Sequence, residues 1–259
     1  MRAATRVALG GVGALATQRA LQTRPPGGAS RWLRTNHRGQ PVSLSSGPAL
    51  AAAAGLAALG QPAGLLAGLG AGAVGAYDDM TDAADASAAD FKGLRGHADA
   101  LAAGQVTSGT VKVIALAGLG LVTAVLSPGR SRLLDRLVGG AVVAGSANLL
   151  NLFDLRPGRA LKVGLGGALV LREPGIAAAC LALLPGDLGE RTMLGDAGAN
   201  ALGATLGTTF LRQQPSRAAT VSVLAGLVGL TALSEVCSFS ALIDRIPVLH
   251  WADELGRPR

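Results

Sequence analysis

Apolar and polar positions in this chain alternate over stretches the length of whole helices. Runs rich in Ala, Gly, Leu and Val fall at about 7–22, 48–60, 62–76, 106–126, 133–152, 161–171, 175–186, 197–211 and 218–237. Polar segments lie between them at 23–46, 77–105, 154–160 and 187–196, and a last one closes the chain at 238–259. The pattern predicts an all-α, polytopic integral membrane protein of about nine transmembrane helices, with a range of eight to ten. A hydrocarbon core about 30 Å thick takes roughly 20 apolar residues to cross, and several of these runs are shorter. The stretch 48–76 reads as one long tilted helix or as two. Gly60-Gln61-Pro62 breaks helices, so two are expected. Residues 1–237 form one helical membrane domain in this reading. Residues 238–259 form an amphipathic tail on the membrane surface, with Phe239, Leu242, Ile243 and Ile246 at helical spacing. The first run follows Met1–Arg6, and Ala14-Leu15-Ala16 resembles a signal-peptide cleavage site. A first membrane helix is preferred because eight further runs follow.

Composition supports a bilayer setting. Mean hydropathy is +0.42 and charged residues make up 15%, against about 25% in soluble domains. The 38 glycines suit helices whose backbones approach closely in lipid. Net charge is +7, but no basic run is interleaved with aromatics, which argues against nucleic acid as a partner. With nine spans, all five polar segments emerge on one face. Arg2, Arg6, Arg130, Arg132, Arg136, Arg172, Arg212 and Arg217 fall on the other, and the larger share of the 23 Lys and Arg accompanies the polar segments. The positive-inside rule then makes that face cytosolic. The expected protein is a multi-pass plasma-membrane protein with its amino terminus outside and its carboxyl terminus in the cytosol. Cys180 and Cys237 have neither metal-ligand spacing nor an evident disulfide role.

Four polar sites carry candidate chemistry. Asp78-Asp79 ends the run 62–76, and Asp82, Asp85 and Asp90 follow, then Lys92-Gly93-Leu94-Arg95-Gly96-His97. Paired carboxylates at a membrane surface call for a divalent metal, a basic partner or exposure to water. Hard oxygen ligands favour Mg²⁺, with Mn²⁺ also possible. In the first polar segment, Arg34 to Val42 makes a turn with cationic donors, suited to phosphate or to a solvated loop. Asn148, Asn151 and Asp154 recur at i, i+3 and i+6 as one polar stripe on an apolar helix. Each needs a partner in a low-dielectric setting, and Arg156, Arg159 and Lys162 follow at once. Gly195-Asp196-Ala197-Gly198 opens a further run, either as an anion site at a helix start or as a helix cap.

Together these residues resemble the polyprenyl-phosphate N-acetylhexosamine-1-phosphate transferases, the MraY- and WecA-like family. The resemblance rests on Asn36, Arg38, Gly39, Pro41 and Val42, on Asp78-Asp79, on Asn148-x-x-Asn151-x-x-Asp154, and on Gly195-Asp196-x-Gly198. It implies an all-helical membrane enzyme with a cytosolic active site. Such an enzyme moves a sugar-1-phosphate from a UDP-sugar to a polyprenyl phosphate, releases UMP, uses Mg²⁺ and serves cell-envelope glycan or peptidoglycan synthesis. A homodimer is possible by the same analogy. Asp78, Asp79 and Asp154 would be catalytic, with Asp196 and Asp79 on the metal. Asn36, Arg38, Lys92, Asn148, Asn151, Arg156, Arg159 and Gly195 would bind substrate. The chain departs from the family where Leu155-Arg156-Pro157-Gly158-Arg159 replaces the usual Gly and second Asp, and where Ala199 replaces a Ser. Its three histidines are not clustered. Two alternatives follow: a catalytically silent relative that binds lipid phosphate or envelope-assembly partners, and a small-molecule transporter.

Overall fold

The computed structural model describes residues 1–36, 38–81 and 107–257. They form a nearly all-α bundle. Helix α1 (Ala3–Thr23) leads to a short antiparallel hairpin of β1 (Leu33–Thr35) and β2 (Pro41–Ser43), then to α2 (Ser46–Ala57). The chain breaks at 58–61, where Gly60 takes φ 80°, a left-handed conformation open to glycine. Pro62 then opens the next helix at its first turn, where its missing N–H costs nothing. The expected division of 48–76 is therefore present. That second helix is α3 (Pro62–Leu65), a π-turn at Leu66–Gly70 and α4 (Ala71–Thr81). It is followed by α5 (Ser108–Leu126), α6 (Leu133–Phe153), α7 (Arg159–Val170), α8 (Pro174–Leu188), α9 (Gly195–Arg212) and α10 (Arg217–Val236). The tail folds as α11 (Phe239–Arg245) and α12 (Pro247–Glu254), broken at Pro247 rather than continuous.

Every predicted apolar run is helical, but nine membrane spans are not what lengths and compositions give. Among the described residues, α5, α6 and α10 are long and apolar enough to cross a membrane, with mean hydropathies of 2.0, 1.3 and 1.7. Helices α2 and α8 are apolar, but at 1.5 Å per residue their 12 and 15 residues reach only about 18 and 22 Å. Helices α1 and α9 have the length but carry polar side chains: Arg6, Gln18, Arg19 and Gln22 in one, Asp196, Asn200 and Arg212 in the other.

Helix α9 is the axis of the bundle. Nearly all its residues are buried, and it packs against α2, α4 and α6. The packing is backbone-close. A Cβ on Gly203 would stand 2.6 Å from Ala147 Cα, and one on Gly75 would stand 2.6 Å from the Ala197 nitrogen. Dispersion between such closely set backbones drives helix association where lipid removes the hydrophobic term. The hairpin is fixed from outside itself: Ser43 N–H donates to the Arg191 carbonyl (3.1 Å), and Met193 N–H donates to that of Ser43 (2.8 Å). These bonds tie the segment before α2 to the segment before α9.

Candidate functional site

One cavity of about 530 Å³ opens at the end of the bundle where α4 and α6 finish and α9 begins. Four of the sequence-predicted polar segments reach it. The hairpin brings Arg34 and Asn36, α4 brings Asp79, and α6 with its following turn brings Asn151, Asp154 and Arg156. The α8–α9 segment brings Asp187, Glu190, Gly195 and Asp196. Lys92, with Asp82, Asp85, Asp90 and His97, lies outside the described residues.

Asp79 caps helix α9 from another part of the chain. Its Oδ1 accepts the Asp196 N–H (3.0 Å) and its Oδ2 that of Ala197 (2.9 Å). A helix start leaves such donors unpaired and carries partial positive charge, so a carboxylate there is well placed. Gly195 makes the approach feasible. It has φ 57°, and a Cβ on it would stand 2.9 Å from both Asp79 oxygens. Arg34 donates through its guanidinium to the Asp79 carbonyl, which pins the hairpin to the end of α4.

Beside this cap lies a cation-centred cluster. Lys112, one turn into α5, donates from Nζ to Asp78 Oδ2 (2.9 Å) and also to Asp196 Oδ2. The Asn151 carboxamide, oriented by its partners, donates to Asp196 Oδ1 at 2.7 Å and accepts from Lys112 at 3.0 Å. Three helices thus converge on Asp196. Lys112 is not among the residues singled out in the sequence. A lone lysine inside an apolar run is itself a functional signal.

The remaining carboxylates face the cavity with fewer cations. Burial pushes the Asp154 carboxyl well above the usual range, and Asp187, Asp196 and Asp79 nearby push it further, against a bond from the Gly195 N–H. Burial raises Asp187 to about 6, opposed by the Gly158 N–H (2.6 Å) and by Arg257. Burial also raises Asp196, with Asp78 and Asp79 acting the same way and Lys112 opposing them. Among the described residues, no three acidic, His or Cys side chains form a ready metal cage.

No family model matches this sequence, and no curated protein does.

Several assigned residues sit differently from expectation. Asn36 is occupied in holding its own turn: its Oδ1 accepts from the N–H groups of Arg38 (2.9 Å) and Gln40 (2.8 Å), and its amide donates to Glu190. Arg38 pairs with the other Glu190 oxygen at 3.4 Å from a half-exposed position. Glu190, not singled out in the sequence, is therefore the fastener of the hairpin. Asn148 lies a turn deeper than the cavity and donates to Thr231 of α10 (3.3 Å). Arg159 is not a free phosphate clamp. It is buried, and it forms a two-pronged pair with Asp253 of α12 (2.8 and 2.7 Å). Asp253 and the Ser240 hydroxyl (2.9 Å) replace the water its guanidinium would need. Arg156, by contrast, is exposed on the cavity rim.

Proposed function

We propose that this protein transfers a sugar-1-phosphate from a UDP-sugar to a polyprenyl phosphate, releasing UMP, with a hexosamine donor as the first candidate. What carries this reading is the convergence of four motifs, spread from Asn36 to Asp196, on one cavity at a single end of the bundle. In the reaction, a lipid-phosphate oxygen bonds to the sugar-linked phosphorus and the bond from that phosphorus to the UMP oxygen breaks. The chemistry needs charge neutralisation and positioning more than covalent catalysis.

The donor set suits one hard cation. Asp154 and Asp196 are oxygen donors whose mutual repulsion in a buried cavity would be relieved by Mg²⁺ or Mn²⁺. Asp79, with both oxygens accepting backbone N–H groups, is a weaker candidate ligand than the sequence suggests. Bound there, the metal would offset pyrophosphate charge. Arg156 is placed to meet a phosphate entering at the rim. Lys112 and Asn151 hold Asp196 in one orientation.

The test is UMP release by purified protein given polyprenyl phosphate, Mg²⁺ and a panel of UDP-N-acetylhexosamines. Turnover abolished by Asp196→Asn supports the reading. No turnover across the panel, with donor binding unchanged by Asp196→Asn, sinks it. The Lys112–Asp78–Asp196 cluster, in which one lysine already pairs with both carboxylates, favours one second reading: a silent relative that binds UDP-sugar or lipid phosphate only. Thermal stabilisation by a UDP-sugar without turnover would select it.

A further inference from the structure

The tail is turned inside out relative to an ordinary surface helix. In a globular protein the apolar stripe of such a helix faces the core. In α12 the buried residue is Asp253, held by Arg159 and by Arg257 (3.0 Å), while Lys162 donates to the carbonyls of Ala252 (3.0 Å) and Asp253 (2.6 Å). The opposite stripe is Val248, Trp251 and Leu255, at i, i+3 and i+7. These are 71, 64 and 55% exposed. An apolar stripe aimed outward, opposite a buried aspartate, needs an apolar medium outside. The neighbouring helix supplies the reason to name it. Only Cys237 and Ser238 separate the tail from α10, whose apolar window is just 11% buried within the protein. Helix α11 follows with Phe239 stacked on Phe153 at 4.8 Å, Leu242 and Ile246 exposed, and Arg245 exposed at its end. Along the chain, the exposed apolar residues of α10, which run to Val236, are thus followed by Leu242 and Ile246 and then by the stripe of α12, with the exposed Arg245 between.

We propose that α12 lies in the headgroup–acyl boundary of the bilayer that α10 crosses. Val248, Trp251 and Leu255 enter the lipid, and Arg245 meets anionic headgroups. A tryptophan at this depth places its ring in the interface it favours, and arginine beside anionic lipid adds attraction. Because the inner edge of α12 is fastened to Arg159, at the foot of the turn that carries Asp154 and Arg156, the lipid contact also holds one wall of the cavity. The inference rests on the membrane placement of α10 and not on the transferase reading.

The full-length protein, reconstituted in phosphatidylcholine–phosphatidylglycerol vesicles, supplies the test. Subtracting the fluorescence of Trp251→Phe from that of the wild type isolates Trp251 without disturbing Trp32. The expected result is a blue-shifted difference spectrum, largely lost when the lipid carries bromine near the headgroup end of its acyl chains and less so with bromine near the chain ends. A water-like maximum untouched by brominated lipid overturns the proposal. So does a blue-shifted maximum without quenching, which would mean that another protein or a second copy covers the face. Vesicle flotation of the same sample confirms insertion. A protein that floats and releases UMP but keeps Trp251 in water fails this inference alone. One that passes the quenching test without turnover fails only the transferase reading.

Discussion

Lys112 is the residue on which the site's charge balance turns. It holds Asp78 and Asp196 together, and its side chain is only 16% exposed. Removing one partner from a buried ion pair leaves an uncompensated charge worth about 3 kcal/mol. Lys112→Met should therefore lower the melting temperature in detergent by several degrees, and Mg²⁺ should restore part of the loss if the freed carboxylates take up a cation. No rescue by Mg²⁺ would count against a cation site there. Gly195 is a second sensitive position. A side chain in its left-handed conformation costs about 1–2 kcal/mol, and its Cβ would also press on the Asp79 carboxylate. Gly195→Ala should destabilise by at least that much and unseat the cap on α9, read as a lower melting temperature and reduced donor binding. The carboxyls set a pH dependence whose sign is fixed by their upward shifts. A carboxyl raised in the folded state stabilises it while protonated, and that contribution is lost as pH rises through the folded value. For Asp187 the window runs from the ordinary 3.8 to about 6, and Asp154 and Asp196 shift in the same direction. A cation competes with those protons. Stabilisation by Mg²⁺ should thus be larger near about pH 8 than near about pH 6, as thermal unfolding at both values will show; equal stabilisation would exclude these groups as its ligands.

At the level of elements, the tail and the hairpin hold the cavity from two sides. The Arg159–Asp253 pair joins residues 94 apart in sequence. Asp253→Asn should keep the fold but weaken the latch, so that backbone amides of 239–257 exchange faster with deuterium while those of α9 do not. Unchanged exchange in the tail would show that Lys162 and Arg257 suffice. Helices were readable from the sequence because long Ala-, Gly- and Leu-rich runs bounded by Pro and Gly leave few other solutions, as at Gly60-Gln61-Pro62. The hairpin was not, because its three-residue strands carry little pattern of their own and are fixed by Arg191 and Met193, far along the chain. The same reason governs the site. Asp79, Asn151, Asp154 and Asp196 could be gathered from motif spacing, and they do share the cavity. Arg159 misled because a basic residue beside a polar stripe looks like a ligand contact when its buried partner is distant. Lys112 was missed for the converse reason: its partners lie 34 and 84 residues away.

On the scale of the whole molecule, burial is concentrated on α9 while α5 and α10 turn most of their apolar surface outward. That arrangement makes sense when the outside is lipid. Val228, 59% exposed in α10, tests it. An Asp near the middle of a span costs roughly 2.5–3.5 kcal/mol of insertion free energy, so Val228→Asp should shift protein from the carbonate-resistant membrane fraction to the extractable one. Retention at the wild-type level would argue that α10 does not face lipid. The cap on α9 has a consequence in time as well as in space. Asp79 precedes the amide it caps by 117 residues, and at about 5–20 residues per second the ribosome needs roughly 6 to 23 s to deliver that partner. Asp78 can pair with Lys112, 34 residues on, but throughout that interval the Asp79 carboxylate must take its partners from water, salt or the insertion machinery. A nascent chain arrested before residue 195 should therefore sit in the membrane with α4 loosely held, and the step that releases it from this waiting state is the arrival of a helix start rather than the burial of another apolar face.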